Sequence, residues 1–513
     1  MFKDKKSKDI INKDAAKEDK TLVHISLSKS LEENIKLLKN LFIDDDTLIT
    51  RQFQNQQDTD IKYCIFFIEG MVNTQIINEN IIKPIVLSSN TGSRNNVDII
   101  MNRVILSNNL EKTSEVNKLI EAIINGNTVL LIEGEEEAIT ISTKGWSTRA
   151  IEEPQGEKII RGPREGFNES IMMNLSMIRR RLLTHDLKFK FRFLGVKSHT
   201  KICLCYIDGI VNKKILDEVQ KRLDTINMDG ILASGYIQEL VRDSPWSPFK
   251  TLGSTERPDI IAAKLLEGRI AILVDGTPVA LTIPHVFIEY FQANEDYYIN
   301  FYFSSISRLV RMLSFIITIS LPAIFIALIA YHQEMIPTPL AISIAAARQN
   351  VPFPSAVAMF GLLVVFEILR ETGTRMPESI GQAFSIVGTL VIGQAAVEAR
   401  FVSAPMVIVS ALTGITGLAI PRIKGAAIIL RFTFLLLASI LGLYGYIFGA
   451  IGLLIHLFDM RSFGVPYMLN LMNLNAEDIK DTAIRAPWMF MKYRPQFIAV
   501  NNRIRNTSGG KKK

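Results

Sequence analysis

The feature that most constrains the fold is the uneven distribution of apolar residues along the chain. Hydrophobic residues make up 48% of the 513 residues, which is only slightly high for a soluble protein. From Leu313 to Phe458, however, apolar runs dominate, whereas the residues before Leu313 resemble those of ordinary soluble domains. An apolar run of about 20 residues is long enough to cross a bilayer as a helix. The sequence therefore predicts a soluble region followed by a helical membrane region.

The N-terminal segment, residues 1–30, is charged and begins MFKDKKSKDIINKDAAKEDK. It has no apolar stretch typical of a cleavable secretory signal, so we predict a disordered tail. The formal net charge of the chain is +7, which suits either nucleic acid or anionic lipid. Basic residues are not interleaved with aromatic ones as in nucleic-acid modules, and membrane spans are predicted. Membrane lipid is therefore the expected partner, and nucleic acid is not.

The soluble region contains an internal duplication. Two pairs of segments match: KYCIFFIEGMVN (Lys62 to Asn73) with KICLCYIDGIVN (Lys201 to Asn212), and GNTVLLIEGEEEAITI (Gly126 to Ile141) with GRIAILVDGTPVALTI (Gly268 to Ile283). Both pairs are separated by about 140 residues, which indicates one repeated unit. Each unit contains a strand, an acidic-Gly turn, helices and a β-hairpin. We predict α/β subdomains at residues 31–150 and 185–305, joined by a linker and a helix at 151–184.

The sequence contains no recognisable active-site motif. Asp208 and Asp275, each followed by Gly, could place catalytic carboxylates at strand ends. Their recurrence in both units favours turn formation instead, because Gly accepts a positive φ. Motifs for nucleotide binding, zinc proteases and serine hydrolases are absent, and the six histidines lack ligand spacing. The three cysteines lie in apolar runs and are expected to be reduced core thiols: Cys64, Cys203 and Cys205. We therefore predict no enzyme activity, no cofactor and no metal site.

The linker region ends in an amphipathic helix with the sequence IMMNLSMIRRRLL. Its apolar residues recur at helical spacing and form one face: Ile171, Leu175, Ile178 and Leu182. The run Arg179–Arg181 then points largely away from that face. Two interpretations remain open for these arginines, a solvated surface or a contact with lipid headgroups or a neighbouring subunit.

The membrane region, residues 306–460, contains five apolar runs: Leu313–Tyr331, Ala356–Leu369, Ala383–Val397, Phe401–Ile420 and Ala427–Phe458. Five spans would place the basic tail, residues 461–513, opposite the N-terminal region, against the cytosolic bias of basic residues. An even number is therefore favoured. We predict about four spans, with a short re-entrant or interfacial segment at Met335–Leu369 and both terminal regions in the cytosol.

One short membrane helix ends among charges. The stretch GLLVVFEILRETGTRMPE begins as an apolar helix and then admits Glu367, Arg370, Glu371 and Arg375. Arg370 and Glu371 follow Glu367 by three and four residues, a spacing at which helical side chains can pair and lower the cost of charge near lipid. These residues either simply end the helix at the membrane boundary or belong to a transport pathway.

Three long stretches resemble the GerA family of bacterial spore germinant receptors, A-subunit type. They are SPFKTLGSTERPDIIAAKLLEGRIAILVDGTPVALTIPH, IRGPREGF and FEILRETGTRMPESIGQAFSIVGTLVIGQAAVEARFVSAPMVIV. The resemblance implies a non-enzymatic receptor subunit in the inner membrane of the dormant spore, with its terminal regions on the spore core side. It also implies a permease-like B subunit and a lipoprotein-like C subunit as partners. In the family the A subunit is thought to oligomerise and form an ion conduit that opens when germinant binds.

A stripe on one membrane helix is a candidate pore lining. At about 100° per residue, Val387, Val391, Gln394 and Glu398 fall on one narrow stripe. Around an oligomer axis this stripe would form two apolar rings, an amide ring and a carboxylate ring. The carboxylate ring favours cations, and the apolar rings can close the pore by dewetting. Alternatively, the stripe packs against another helix of the same subunit, and Glu398 meets Arg400 or water.

Two loops carry candidate subunit contacts. In GSTERPD, Glu256 and Arg257 precede a helix for which Pro258 suits the first turn. In IRGPREGF, Gly and Pro residues predict a rigid connector that presents Arg161 and Arg164. We expect the first pair to contact another subunit or the membrane-proximal region. An ordered loop without a partner remains the alternative for the connector.

Two other functional classes compete with the receptor subunit. A secondary transporter usually has two related membrane halves, whereas the repeat in this chain lies in the soluble region. A membrane-anchored scaffold would use its spans only to tether the soluble subdomains. Ion flux through the purified protein separates the receptor channel from the scaffold.

Overall fold

The fold described here comes from a computed structural model of the full chain. The described residues are 26–57, 61–88, 97–107, 109–145, 153–154, 156–157, 159, 161–375, 391–469, 481–482, 484–491, 493–495, 497–499, 502 and 504–505. Two mixed helix-and-strand subdomains come first, followed by a bundle of apolar helices. A C-terminal segment then packs back on the second subdomain. Most of the predicted N-terminal tail lies outside the described residues.

The first subdomain is a five-stranded antiparallel sheet in the order β1-β2-β4-β5-β3. Its strands are β1 (Leu48–Gln54), β2 (Lys62–Ile68), β3 (Leu110–Thr113), β4 (Thr128–Ile132) and β5 (Ala138–Ile141). Helices α1 (Leu31–Leu41) and α2 (Val116–Ile124) cover one face. Short helical segments cover the other: Thr74–Ile76, Ile77–Ile82, Lys83–Leu87, Val97–Ile99 and Ile100–Val104.

The second subdomain repeats this topology in the order β6-β7-β9-β10-β8. Its strands are β6 (Leu187–Leu194), β7 (Thr200–Ile207), β8 (Gly253–Thr255), β9 (Ile270–Val274) and β10 (Ala280–Ile283). Its helices are α3 (Ile171–Arg181), α4 (Lys213–Asp224), α5 (Ser234–Leu240) and α6 (Pro258–Leu266). The predicted duplication is confirmed. Because all strand pairs are antiparallel, the subdomains have helices packed on antiparallel sheets rather than alternating parallel βα units.

The repeated sequence segments occupy equivalent places in the two units. Each ends in an Asn that caps the next helix: Asn73 Oδ1 accepts from the Gln75 amide at 3.0 Å, and Asn212 Oδ1 accepts from the Lys214 amide at 3.1 Å. The Gly after each acidic residue has a positive φ, for example 76° at Gly209. The acidic-Gly pairs therefore form turns, as the sequence favoured.

The first arginine of the run in α3 does not point outward as predicted. The Arg179 side chain is 1% exposed, and its guanidinium lies 2.6 Å from Asp45 Oδ2, beyond the end of α1 in the first subdomain. It also lies over the Phe189 ring at 4.5 Å. Arg181 pairs with Glu165 at the protein surface. Arg179 therefore connects the two subdomains, and the predicted solvent or lipid contact is wrong for this residue.

Among the described residues, two helical stretches are long and apolar enough to cross a membrane, Phe301–Ala330 and Pro421–Asp459. The helices of the membrane region are α7 (Phe301–Ala330), α8 (Thr338–Arg348), α9 (Ser355–Arg375), α10 (Ala404–Leu418) and α11 (Lys424–Asp459). Residues 391–398 are also helical. The segment Met335–Leu369, predicted to be re-entrant or interfacial, contains α8 and most of α9. Its position relative to the membrane stays a prediction. Helix α9 also continues through its charges rather than ending before them. Four separate spans are not evident among the described residues.

Helix α11, predicted as one apolar span, folds back on itself at Gly442. This residue has φ 63° and ψ −141°, outside the helical region. As a result the Phe434 and Tyr446 ring centroids are only 5.7 Å apart. Twelve residues of straight helix would separate them by about 18 Å. Each arm of this hairpin has about 17 residues, near the lower limit for crossing a bilayer. The single-span prediction for Ala427–Phe458 is therefore wrong.

The two arms of the hairpin make contact through glycine. A Cβ placed on Gly445 would overlap the Leu437 carbonyl oxygen, and one on Gly449 would lie 2.9 Å from Leu437 Cδ1. Small residues allow such close approach of membrane helices. The sequence offers a signal for this in Gly442, Gly445, Gly449 and Gly452, but their spacing also suits contact between separate helices.

Gly445→Ala should destabilise the hairpin by about 1–3 kcal/mol, because the backbone of the facing arm cannot move aside for a methyl group. The measurement is thermal unfolding of the detergent-purified chain, followed by circular dichroism. Gly452→Ala is the matched control, since no atom lies within 4 Å of its added Cβ. Equal stability of the two variants would contradict the folded-back arrangement.

The C-terminal segment returns to the second subdomain. After α11, strands β11 (Arg461–Ser462) and β12 (Val465–Pro466) pair, and Ser462 Oγ donates to the Thr251 carbonyl at 2.7 Å. Phe463, Val465 and Leu469 are part of the core of that subdomain. The membrane region therefore begins and ends on the same side, next to the soluble subdomains.

Candidate functional site

Three charged residues meet between the helices of the membrane region. Glu367 of α9 accepts hydrogen bonds from Arg370, one turn later, and from Arg431 in the first arm of α11. We call these residues the Glu367 cluster. The Arg431 side chain is 1% exposed, that of Arg370 10% and that of Glu367 18%. The cluster therefore links two helices that the chain separates by 64 residues.

The cluster has more positive than negative charge. One carboxylate faces two guanidinium groups, and the Nε atoms of both arginines are buried without a hydrogen-bond partner. A buried charge is tolerated only when an opposite charge and hydrogen bonds compensate for lost hydration. Glu367 is therefore the carboxylate that compensates the buried guanidinium charges between α9 and α11. Glu367 therefore does more than end a helix. Its part in a transport pathway stays a prediction.

Arg431 was missed by the sequence analysis. Its partner is distant in sequence, and no local spacing rule connects the two. The available signal was a single arginine inside the apolar run Ala427–Phe458, since an ionised residue within a membrane segment usually has a partner. The other two boundary residues, Glu371 and Arg375, form an exposed pair at 2.8 Å on the last turn of α9. Their predicted place at the membrane boundary stays a prediction.

The candidate pore stripe lies partly within the described residues. Val387 lies outside them. Val391 is 55% exposed, and Gln394 Nε2 donates to Glu398 Oε1 at 2.9 Å on the same exposed face. On another face of this helix, Gly393 approaches Val407 of α10. The described part of the stripe therefore faces away from α10, and its pore role stays a prediction.

The predicted subunit contacts occupy different environments. Arg257 is fully buried, and its guanidinium donates to the carbonyl oxygens of Glu157 and Pro163 in the connector. It also lies 3.0 Å from Asp259. A direct contact between Arg257 and another subunit is therefore contradicted by its burial. The residue instead fixes the connector against the start of α6.

The other three candidates remain available at the surface. Glu256 is half-buried, and its carboxylate accepts from the Gly156 amide at 3.4 Å. Arg161 and Arg164 are both exposed on the connector, as the sequence predicted. Their contact with another subunit stays a prediction.

Comparison with known proteins decides the family. The family model described as Bacillus/Clostridium GerA spore germination protein matches residues 36–497. This chain belongs to the GerA family. The matched range includes the two sheets, the Glu367 cluster and the described part of the stripe. GerA membership is consistent with a membrane protein, as are the two apolar helical stretches.

Individual GerA relatives cover nearly the whole chain. Spore germination protein KA of Bacillus subtilis (strain 168) is 40% identical over 483 residues, which is 94% of this chain and 89% of the relative. The uncharacterized membrane protein YfkQ of the same organism is 41% identical over 480 residues, or 93% of each chain. One solved structure is also similar: the crystal structure of the N-terminal domain of the A subunit of the Bacillus megaterium spore germinant receptor GerK3. The matched region covers 52% of this chain and 98% of that one, with 32% sequence identity and a TM-score of 0.41.

Proposed function

We propose that this GerA protein is the A subunit of a nutrient germinant receptor and takes part in triggering spore germination. The proposal is supported by family membership over residues 36–497 and by relatives named as spore germination proteins. Its partners are a permease-like B subunit and a lipoprotein-like C subunit, and its place is the inner membrane of the spore. The nutrient is held by the permease-like B subunit, as the family resemblance implies.

The membrane region crosses the bilayer an even number of times in this proposal. The hairpin tip lies beside the end of α7, where the Tyr331 hydroxyl donates to the Ser439 carbonyl at 2.6 Å. The other end of the hairpin lies against the second subdomain, where His456 Nε2 is 2.9 Å from Ser247 Oγ. Helix α7 and the two arms therefore account for three crossings. An odd number of further crossings between Tyr331 and Lys424 returns the chain to the side of the soluble subdomains. Both terminal regions then lie in the spore core.

The observation that carries a conduit function is the exposed polar stripe. An amide and a carboxylate at Gln394 and Glu398 face outward from a helix of the membrane region, next to exposed Val391. Lipid is a costly environment for a carboxylate, so a water-filled axis between copies of the chain suits this face better. In a homo-oligomer the Glu398 ring favours cations, and the valine ring, extended by Val387, closes the pore when it dewets.

Val391→Ser should raise the resting leak of monovalent cations severalfold, because a polar ring no longer dewets. Glu398→Gln should reduce the preference for cations over anions. Both are measured as ion flux from liposomes that contain the purified receptor, and as ion release from spores. Ile392→Ser is the matched control, since Ile392 is also exposed but lines a groove between α9 and α10 instead of belonging to the stripe.

The outcomes separate a channel from a tether. If Val391→Ser and Glu398→Gln assemble normally and leave both resting and germinant-triggered flux unchanged, the helix does not line the pathway. If the unmodified receptor conducts no ions in liposomes while spores still germinate, the scaffold interpretation replaces the channel.

A further inference from the structure

A cavity of about 340 Å³ lies where three parts of the chain meet. One wall belongs to the second subdomain, between β8 and α6. A second wall is the 3₁₀ turn Pro421–Ile423 that leads into the hairpin, and a third contains Trp488 and Arg505 of the C-terminal segment. The volume is in the range of small-molecule sites, which are usually concave, mostly apolar and provided with few polar groups. We call it the junction cavity.

The floor of the junction cavity is a buried network with balanced charge. Glu289 accepts from Lys264 Nζ at 2.7 Å and from Arg269 at 2.7 Å. Glu267 lies 3.2 Å from Arg269 and 3.8 Å from Lys264. Burial opposes ionisation of Glu289, but the adjacent Arg269 and Lys264 hold the pKa of its carboxyl well below its usual range. Two fixed anions therefore neutralise two fixed cations.

His285 completes the floor as a neutral group. Its side chain is 9% exposed, and burial lowers the pKa of its imidazole. Its Nδ1 has no hydrogen bond of normal geometry, and the nearest carboxylate oxygen, of Glu289, lies at 3.5 Å. Gly253 approaches this nitrogen so closely that an added Cβ would lie 3.0 Å away. His285 therefore adds a polar but uncharged group to the floor.

The rim of the junction cavity adds positive charge and aromatic surface. Lys250 is exposed and Arg505 is half-buried, and neither has an ion pair within the described residues. Arg505 lies 5.4 Å from the Trp488 ring. Arg422, also on the rim, is already paired with Glu157 at 2.9 Å. Tyr298 provides a further aromatic side chain. Because the floor is neutral, the two unpaired cations give the cavity a net positive charge.

We propose that the junction cavity binds a small organic monoanion, a carboxylate carried on an aromatic or apolar body. The carboxylate pairs with Lys250 or Arg505, and the apolar body lies against Trp488 and Tyr298. A charge-assisted hydrogen bond between a carboxylate and a guanidinium or ammonium group is about twice as strong as a neutral one. The ligand touches the second subdomain, the entry to the hairpin and the C-terminal segment at once. Its occupancy therefore stabilises their contact.

The test uses the full chain purified in detergent and ligand-observed NMR, which measures binding without ion flux. The probes are benzoate, 3-phenylpropionate and indole-3-acetate, each compared with its neutral amide. We expect at least one carboxylate to bind, and its amide to bind about tenfold more weakly because the charge-assisted contact is lost. Lys250→Gln or Arg505→Gln should produce a similar loss, whereas Lys213→Gln, an exposed lysine outside the cavity, should not.

A second variant tests the location. Ala263→Trp places an indole in the cavity from α6 and should abolish binding, provided that circular dichroism shows a folded chain. The proposal is overturned if none of the carboxylates binds at millimolar concentration, or if carboxylates and amides bind equally. It is also overturned if binding survives Ala263→Trp, or if only vesicles of anionic lipid bind. These results are independent of the conduit, because the receptor could conduct ions with an empty junction cavity and could bind the carboxylate without conducting.

Discussion

Glu367→Gln is expected to destabilise the membrane bundle by about 3–5 kcal/mol, because the buried Arg370 and Arg431 lose the carboxylate that pairs with both of them. Arg431→Gln should cost less. It leaves the Glu367–Arg370 pair, whose charges still cancel. Glu367→Gln is expected to cost more than Arg431→Gln because the cluster contains two arginines and one carboxylate. Thermal unfolding of the detergent-purified chain measures both, and receptor abundance in spore membranes provides a second readout.

A matched pair on the same helix serves as the control. Glu371 and Arg375 have the same chemistry as the cluster but are 58% and 79% exposed, so Glu371→Gln should change stability by less than about 1 kcal/mol. The double variant Glu367→Gln/Arg431→Gln should be more stable than Glu367→Gln alone, since one unpaired cation is removed. The assignment fails if Glu371→Gln and Glu367→Gln are equally stable, or if the double variant is the least stable.

The repeated subdomains were predictable because their information is local. Strand, turn and cap signals recur within short segments, and the duplication presents each signal twice. The Asn caps at Asn73 and Asn212 and the positive φ of Gly209 follow directly from residue chemistry. What the pattern did not provide was the direction of the strands outside the predicted hairpin. Hairpins and longer connections both fit the same strand spacing, and the pairing is antiparallel throughout.

The junctions could not be predicted because they depend on residues far apart in sequence. Among the described residues the largest fully buried side chains include four arginines: Arg179, Arg257, Arg308 and Arg431. Each connects separate parts of the chain through a partner or carbonyl distant in sequence, for example 134 residues away for Arg179 and 64 for Arg431. Composition rules place arginine at the surface, since a buried guanidinium is stable only with a specific partner. Tertiary structure alone reveals that partner.

The hairpin in α11 was missed for a related reason. A run of apolar residues is compatible with one long helix or two short ones, and hydropathy does not distinguish them. The fold-back requires the backbone angles of Gly442 and the close contact at Gly445. Both glycines are visible in the sequence, but Gly is common in membrane helices, and its presence alone does not indicate a reversal.

The second large effect is expected at the start of α7. Asp296 is 1% exposed and accepts from Arg308 Nε at 2.8 Å and from Arg311 at 2.5 Å. Arg308 in turn donates to Asp481 Oδ1 of the C-terminal segment at 2.7 Å. This arrangement connects the second subdomain, the first membrane helix and the C-terminal segment. It is one of several direct links between the soluble and membrane regions, together with the Ser247–His456 and Glu157–Arg422 contacts.

Asp296→Asn should destabilise the chain by about 3–5 kcal/mol, because Arg311 loses its carboxylate partner and the buried Arg308 is left with Asp481 alone as its carboxylate partner among the described residues. The C-terminal segment should detach at the same time. Arg485, which is 3% exposed in the folded chain, should then become a site of trypsin cleavage. Asp229→Asn is the control, since its pair with Lys197 at 3.2 Å is 78% exposed on both sides. Two results together would contradict this role: trypsin cuts the Asp296 and Asp229 variants alike, and both variants unfold at the same temperature. Arg308 would then not hold the C-terminal segment. The coupling between the soluble and membrane regions would pass through the β11–β12 contact instead.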